Sequence, residues 1–145
     1  MGAGLVGWSQ SRTGMYITLD QTEETCERNI KLLNSNLVYC ISQEPIIELN
    51  MVESISDITY DSLFQLRSFK LKLTSQGSKR VSTIAQKLPN HKLAVVVNGI
   101  LISVLDLEGI YETRVIVIWD AYDSDAIQWI YENLRDQVNQ YTEKI

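Results

Sequence analysis

Asn98-Gly99 stands between two runs of aliphatic and β-branched residues, LAVVV at 93–97 and ILISV at 100–104. A type I′ turn needs positive φ at both central positions, and Asn followed by Gly tolerates it best, so the stretch predicts a two-residue β-hairpin. Both arms are apolar at odd and even positions, as is RVIVIW at 114–119. Strands apolar on both faces belong in the middle of a covered sheet, which places all three runs there. No side chain in the hairpin offers chemistry, so its role is architectural.

The segments on either side build an α+β domain. MYITL at 15–19 predicts a first strand. DQTEETCERNIKLLNSN opens on an Asp with acidic residues behind it, a helix start, and Cys26, Ile30 and Leu33 lie at helical spacing. LVYCI and IIEL, separated by Glu44-Pro45, predict two short strands. Residues 51–64 give no clear period and predict a turn with an irregular strand. In SFKLKLT, Phe69, Leu71 and Leu73 alternate with Ser68, Lys70 and Lys72, a strand with one wet face. Thr74-Ser75 caps a helix from about 76 to 88 that turns Val81, Ile84, Ala85 and Leu88 inward; Gly77 weakens its first turn, and Pro89-Asn90 ends it. Residues 106–113 predict a polar loop. The last helix runs from about 123 to 138, with Ala126, Ile127, Ile130, Tyr131, Leu134 and Val138 on one face. The predicted fold is α+β: a mostly antiparallel sheet with about three packed helices in one domain over 15–145, preceded by a flexible segment at 1–14.

Composition narrows function. Eighteen Asp and Glu outweigh thirteen Lys and Arg, a net charge of −5, and an acidic chain lacks the footprint of a nucleic-acid binder. No run is apolar and long enough to span a bilayer. Two cysteines and one histidine cannot make the usual structural zinc site. Cys26 and Cys40 read first as buried free thiols, with a single disulfide in an oxidising compartment as the alternative. His91 follows a helix-ending turn with no nucleophile beside it in sequence, and reads as a solvated turn residue. Asp120, Asp123 and Asp125 lack the central Gly and distal Glu of a calcium loop and read as a helix cap. No phosphate-binding, dinucleotide-binding or hydrolase motif occurs. Neither an enzyme nor a bound cofactor or metal is expected.

The second half of the chain resembles a known family. LKLTSQGSKRVSTIAQKL, KLAVVVNGILIS and VIVIWDAYDSDAIQWIYENLR are similar to the periplasmic head domain of the SecD protein-export family. Leu73-Thr74 with Gly77 matches the strand-to-helix element, residues 93–99 match the "LAIVLDG" hairpin, and Ile118 through Asp125-Ala126 to Leu134-Arg135 match the late strand and helix. The resemblance covers about 38–138, with EPIIELNMVESISD leading in. The family's Asp-Gly is Asn-Gly here, its "SAP" is Ser103-Val104-Leu105, and Trp119-Asp120 replaces the Gly after the late strand. The resemblance implies a non-enzymatic, lipoprotein-like binding module of the periplasm or cell envelope that contacts a protein or unfolded polypeptide, with a homodimer also open. The competing reading is a cytoplasmic acidic inhibitor or immunity-type protein that neutralises a basic enzyme. Trp129, on the flank of the last helix, with Trp119 and Tyr122, is the expected partner-binding set, because tryptophan is enriched at binding hot spots.

Overall fold

The computed structural model describes residues 13–119 and 126–143. In chain order the elements are β1 (Gly14–Ile17), β2 (Asn29–Lys31), β3 (Val38–Cys40), a 3-10 turn (Leu49–Met51), β4 (Val52–Ile55), β5 (Thr59–Asp61), β6 (Leu66–Leu73), α1 (Ser75–Lys87), β7 (Lys92–Val97), β8 (Ile100–Asp106), α2 (Glu108–Thr113), β9 (Val115–Trp119) and α3 (Ala126–Glu143). Three helices and antiparallel sheets make the α+β fold that the sequence predicts.

The hairpin forms as its turn chemistry demands. Asn98 and Gly99 take φ of 51° and 81°, and Val97 pairs with Ile100 across the two-residue loop. β7 is the middle strand of a first sheet, ordered β1-β7-β8. Leu93, Val95 and Val97 face a large core shared with the helices, while Ala94 and Val96 face a smaller one with Tyr16, Ile41 and Leu101. All five side chains are fully buried. Among the described residues no helix covers that second face. Residues 20–36, expected to be helical, make one turn at Thr22–Cys26, where Cys26 N donates to Thr22 O at 2.9 Å, and then enter the β2–β3 hairpin. Ile30, Leu32 and Tyr39 of that hairpin lie on the small core, and the Arg28 guanidinium sits 4.4 Å from the centre of the Tyr16 ring. The hairpin spans both edges of the sheet: Ile41 bridges to Thr18 beside β1, and Leu33 N donates to Leu101 O of β8 at 2.9 Å.

The misreading has a cause. Cys26, Ile30 and Leu33 have helical spacing, but Ile30 and Leu32 also alternate, and a long-range bond selects the second pattern. Cys26 is disulfide-bonded to Cys40, which corrects the preference for free thiols. The bridge ties the start of this segment to the end of β3.

A second sheet is built on β6. β4 pairs with its residues 71–73 and β5 with 66–68, dividing one edge between them, and β9 takes the other edge over 68–72. Residues 51–64, indistinct in sequence, supply these two short strands. IIEL gives no strand of its own, only the Ile47 bridge to Met15 and then the 3-10 turn. The core face of this sheet carries Phe69, Leu71, Leu73, Ile116 and Ile118, with the Phe69 and Tyr131 rings edge to face at 5.4 Å. Residues 106–113 are not a loop: α2 buries Ile110, and Tyr111 O accepts from Ser78 Oγ of α1 at 3.2 Å. Six residues hold too little of a helical period to show it in sequence. RVIVIW is also corrected, because β9 is an edge strand rather than a central one. Among the described residues it pairs with β6 alone.

Candidate functional site

The strand-to-helix element before α1 is a packing device. Thr74 Oγ1 accepts from Gly77 N at 3.1 Å, and Thr74 N donates to Met51 O at 2.8 Å. A Cβ on Gly77 would lie 3.1 Å from that same carbonyl oxygen and 3.2 Å from Met51 Cβ. Glycine thus allows a close approach that a Cβ would crowd by a few tenths of an ångström.

The turn of the β7–β8 hairpin is likewise tied down. Asn98 Nδ2 donates to Asn133 Oδ1 at 2.9 Å, while Asn98 Oδ1 accepts from Gln137 Nε2 at 3.1 Å and from Thr13 Oγ1 at 3.3 Å. The amide acts as donor and acceptor at once, which a carboxylate cannot do. Asn133 and Gln137 are one turn apart on α3, so the hairpin tip is locked to the last helix. Only the fold could show this partnership, because Asn98 reads as a turn residue alone.

His91 is not the solvated turn residue expected. Its Nδ1 meets Thr18 O and its Nε2 lies 3.3 Å from Asp20 Oδ2, so both ring nitrogens are engaged in joining the start of β7 to the end of β1. No nucleophile stands on either nitrogen. Arg135, raised above its ordinary value by the hydrogen bond to Asp136, lies over the Tyr131 ring and is no base either. Among the described residues there is no group of three or more His, Cys, Asp or Glu side chains that could hold a metal ion. Asp120, Tyr122, Asp123 and Asp125 lie outside the described residues. An open groove of about 630 Å³ runs between α1 and residues 44–46, lined by Glu44, Pro45, Ile46, Gln76, Lys79, Arg80, Thr83 and Ile84. Thr83 spends its hydroxyl on Lys79 O and Arg80 reaches Ile46 O, and the groove presents Lys79, Arg80 and Glu44 among aliphatic walls.

The two candidate tryptophans do not form one patch. Trp119 is 48% exposed and stands opposite Ser68, on the outer face of the second sheet. Trp129 is 39% exposed on α3, which packs against the inner face through Tyr131 and Phe69. A larger apolar feature escaped the sequence reading. In the β5–β6 turn Leu63 is 81% and Phe64 66% exposed, with Tyr60 just before them. The turn is rigid: Asp61 Oδ1 accepts from Leu63 N at 2.9 Å and Phe64 N at 3.2 Å, and Gln65 takes a φ of 55°. By register this turn and Trp119 occupy the same end of the second sheet.

No protein-family model matches the chain, and no curated protein sequence is similar to it. Solved structures do resemble it. A structure described as that of a membrane component, SecDF, that enhances protein export superposes with a TM-score of 0.62 at 13% identity, over 92% of this chain and 67% of its own. The chain has the fold of that part of SecDF. The crystal structure of SecDF in its super-membrane-facing form agrees, with a TM-score of 0.59 and 14% identity over 92% of this chain and 20% of the SecDF chain. The likeness reaches beyond the 38–138 region that carries the SecD motifs. Within it, the hairpin and the Thr74–Gly77 element are the parts whose physical roles are visible here. No described helix is long and apolar enough to cross a membrane.

Proposed function

We propose that this chain is a non-enzymatic, SecD-like module of protein export that works on the outer side of the cytoplasmic membrane and contacts a polypeptide or an envelope protein. The observation that carries the reading is the SecDF fold over 92% of the chain. The Cys26–Cys40 disulfide supports the location, since structural disulfides persist in oxidising compartments. The exposed Leu63, Phe64 and Trp119 at one end of the second sheet are the kind of surface a polypeptide contact uses. The acidic-inhibitor alternative gains nothing from the fold comparison.

The test is binding of a permanently unfolded polypeptide, reduced and carboxymethylated α-lactalbumin, followed by fluorescence anisotropy. Saturable binding to the unfolded form, absent with the native form, is expected. No saturable binding to either would sink the polypeptide-contact reading.

A further inference from the structure

The sheet edges are treated very differently. The outer edge of β1 is engaged by residues 40–47: Leu19 N donates to Cys40 O, Ser42 N to Ile17 O and Ile46 N to Met15 O. β8 receives Leu33 N on its own outer edge. β4 is irregular, with a register shift between Val52 and Ser54, and β5 has three residues ending in Asp61. These are the usual protections against unwanted strand pairing. β9 has none. Its five residues, VIVIW, hold no charge, no proline and no bulge, and their register with β6 is unbroken.

The phase of the ladder shows which groups face outward. Leu73 N donates to Arg114 O, so hydrogen-bonded pairs fall on Leu71–Ile116 and Phe69–Ile118. The N–H and C=O of Val117 and Trp119 therefore point away from β6, with no strand on them among the described residues. Val115 N is met by Thr113 Oγ1 at 3.2 Å. The outer face beside this edge pairs Val117 with Lys70 and Val115 with Lys72; Lys72 is held by Glu53 at 3.3 Å, and Lys70 makes no ion pair among the described residues.

We propose that the β9 edge is a docking strand, on which an extended segment of another polypeptide adds to the second sheet through the main chain of Val117 and Trp119. The proposal rests on the polypeptide-contact reading and specifies where and how that contact is made. Main-chain bonds take any extended sequence, while Trp119, Val117 and the Lys70 charge favour apolar and acidic side chains on the outer face. A second copy fits less well. Five residues of edge bury far less than the roughly 800 Å² per partner of a stable interface, and two lysine-bearing faces would be brought side by side.

Amide hydrogen exchange on the intact chain, with and without the unfolded α-lactalbumin, gives the direct test. Val117 and Trp119 amides should gain protection on binding, while Ile116 and Ile118, already bonded to β6, should not change. Val117→Pro removes only an outward N–H, a substitution an edge strand tolerates, and should weaken binding about tenfold, the worth of one net main-chain bond. Trp119→Pro removes the other outward N–H and serves the same end if the Val117 variant does not fold. Binding with no protection at Val117 and Trp119, or undiminished in both variants, would overturn the docking strand and leave the polypeptide contact standing. Absence of binding overturns both. Protection that instead rises with protein concentration, without the polypeptide, assigns the edge to a second copy and overturns the proposal.

Discussion

β7 and β9 are nearly the same sequence in two different places. LAVVV and VIVIW are both continuous apolar runs and both form strands; β7 pairs with β8 through a register shift between Val95 and Val96, while β9 pairs with β6 without a break. β7 has a strand on each edge and a core on each face, so all of its apolar residues are fully buried. β9 has one strand beside it and one core beneath it, and its outward residues are half-buried or exposed. An apolar run reports that a strand can be covered on both sides. It does not report whether the same chain supplies the cover.

One substitution at the middle of each run is the strongest way to break the comparison. Val95→Asp buries an unpaired carboxylate and should cost more than about 4 kcal/mol, a large part of the stability of a domain this size. Val117→Asp lies on the outer face opposite Lys70 and should stay within about 1 kcal/mol. Urea unfolding measures both, and equal losses would mean that the two strands are alike after all.

The cover on the second face of β7 can be loosened separately. Reducing the Cys26–Cys40 bridge, whose ends are 14 residues apart, should cost about 3 kcal/mol on loop-entropy grounds. Thermal melts with and without reductant should show it, and exchange should rise first in β2 and β3. Little change in either would mean that the β2–β3 hairpin holds to the sheet without the disulfide.

The tie between the β7 hairpin and α3 is smaller. Asn98→Asp replaces a donor with a carboxylate facing Asn133 Oδ1 and should cost about 1–2 kcal/mol at neutral pH. Chemical denaturation checks it, and a neutral result would mean that the amide network is dispensable. The smallest effect on folding belongs to Trp119→Ala, within about 0.5–1 kcal/mol for a half-exposed edge residue. Binding of the unfolded polypeptide should nevertheless weaken by about 2 kcal/mol if Trp119 is an anchor. The same substitution at Trp129, where the sequence first placed the contact, separates the two faces: the tryptophan whose loss leaves binding unchanged is not part of the surface.

Much of the fold was legible because local chemistry sufficed. Asn98-Gly99 can hardly be anything but a hairpin turn, the alternation of residues 68–73 states which face is wet, and Thr74 announces a helix. The helix expected at 20–36 failed because its spacing fits two periods, and the contacts that favour the strand, with β3, Leu101 and Cys40, are all outside the segment. α2 was missed because six residues carry one buried position, Ile110.

The candidate surface was less legible. Trp119 and Trp129 stood out by residue type, but their separation onto opposite faces of the second sheet follows from how α3 packs. Leu63 and Phe64 were invisible, because an apolar pair in an irregular segment reads as core until the turn around Asp61 shows it pointing outward.

By itself the sequence determined the hairpin, the wet and dry faces of β6, the cap of α1 and the lack of any catalytic motif. Each is set by dihedral preference or periodicity within about ten residues. The tertiary structure alone decided that β7 is enclosed while β9 pairs, among the described residues, with β6 alone, that Cys26 meets Cys40, and that Asn98 holds α3. Those outcomes depend on which distant segment arrives beside each strand, and main-chain groups carry no mark of it in the sequence.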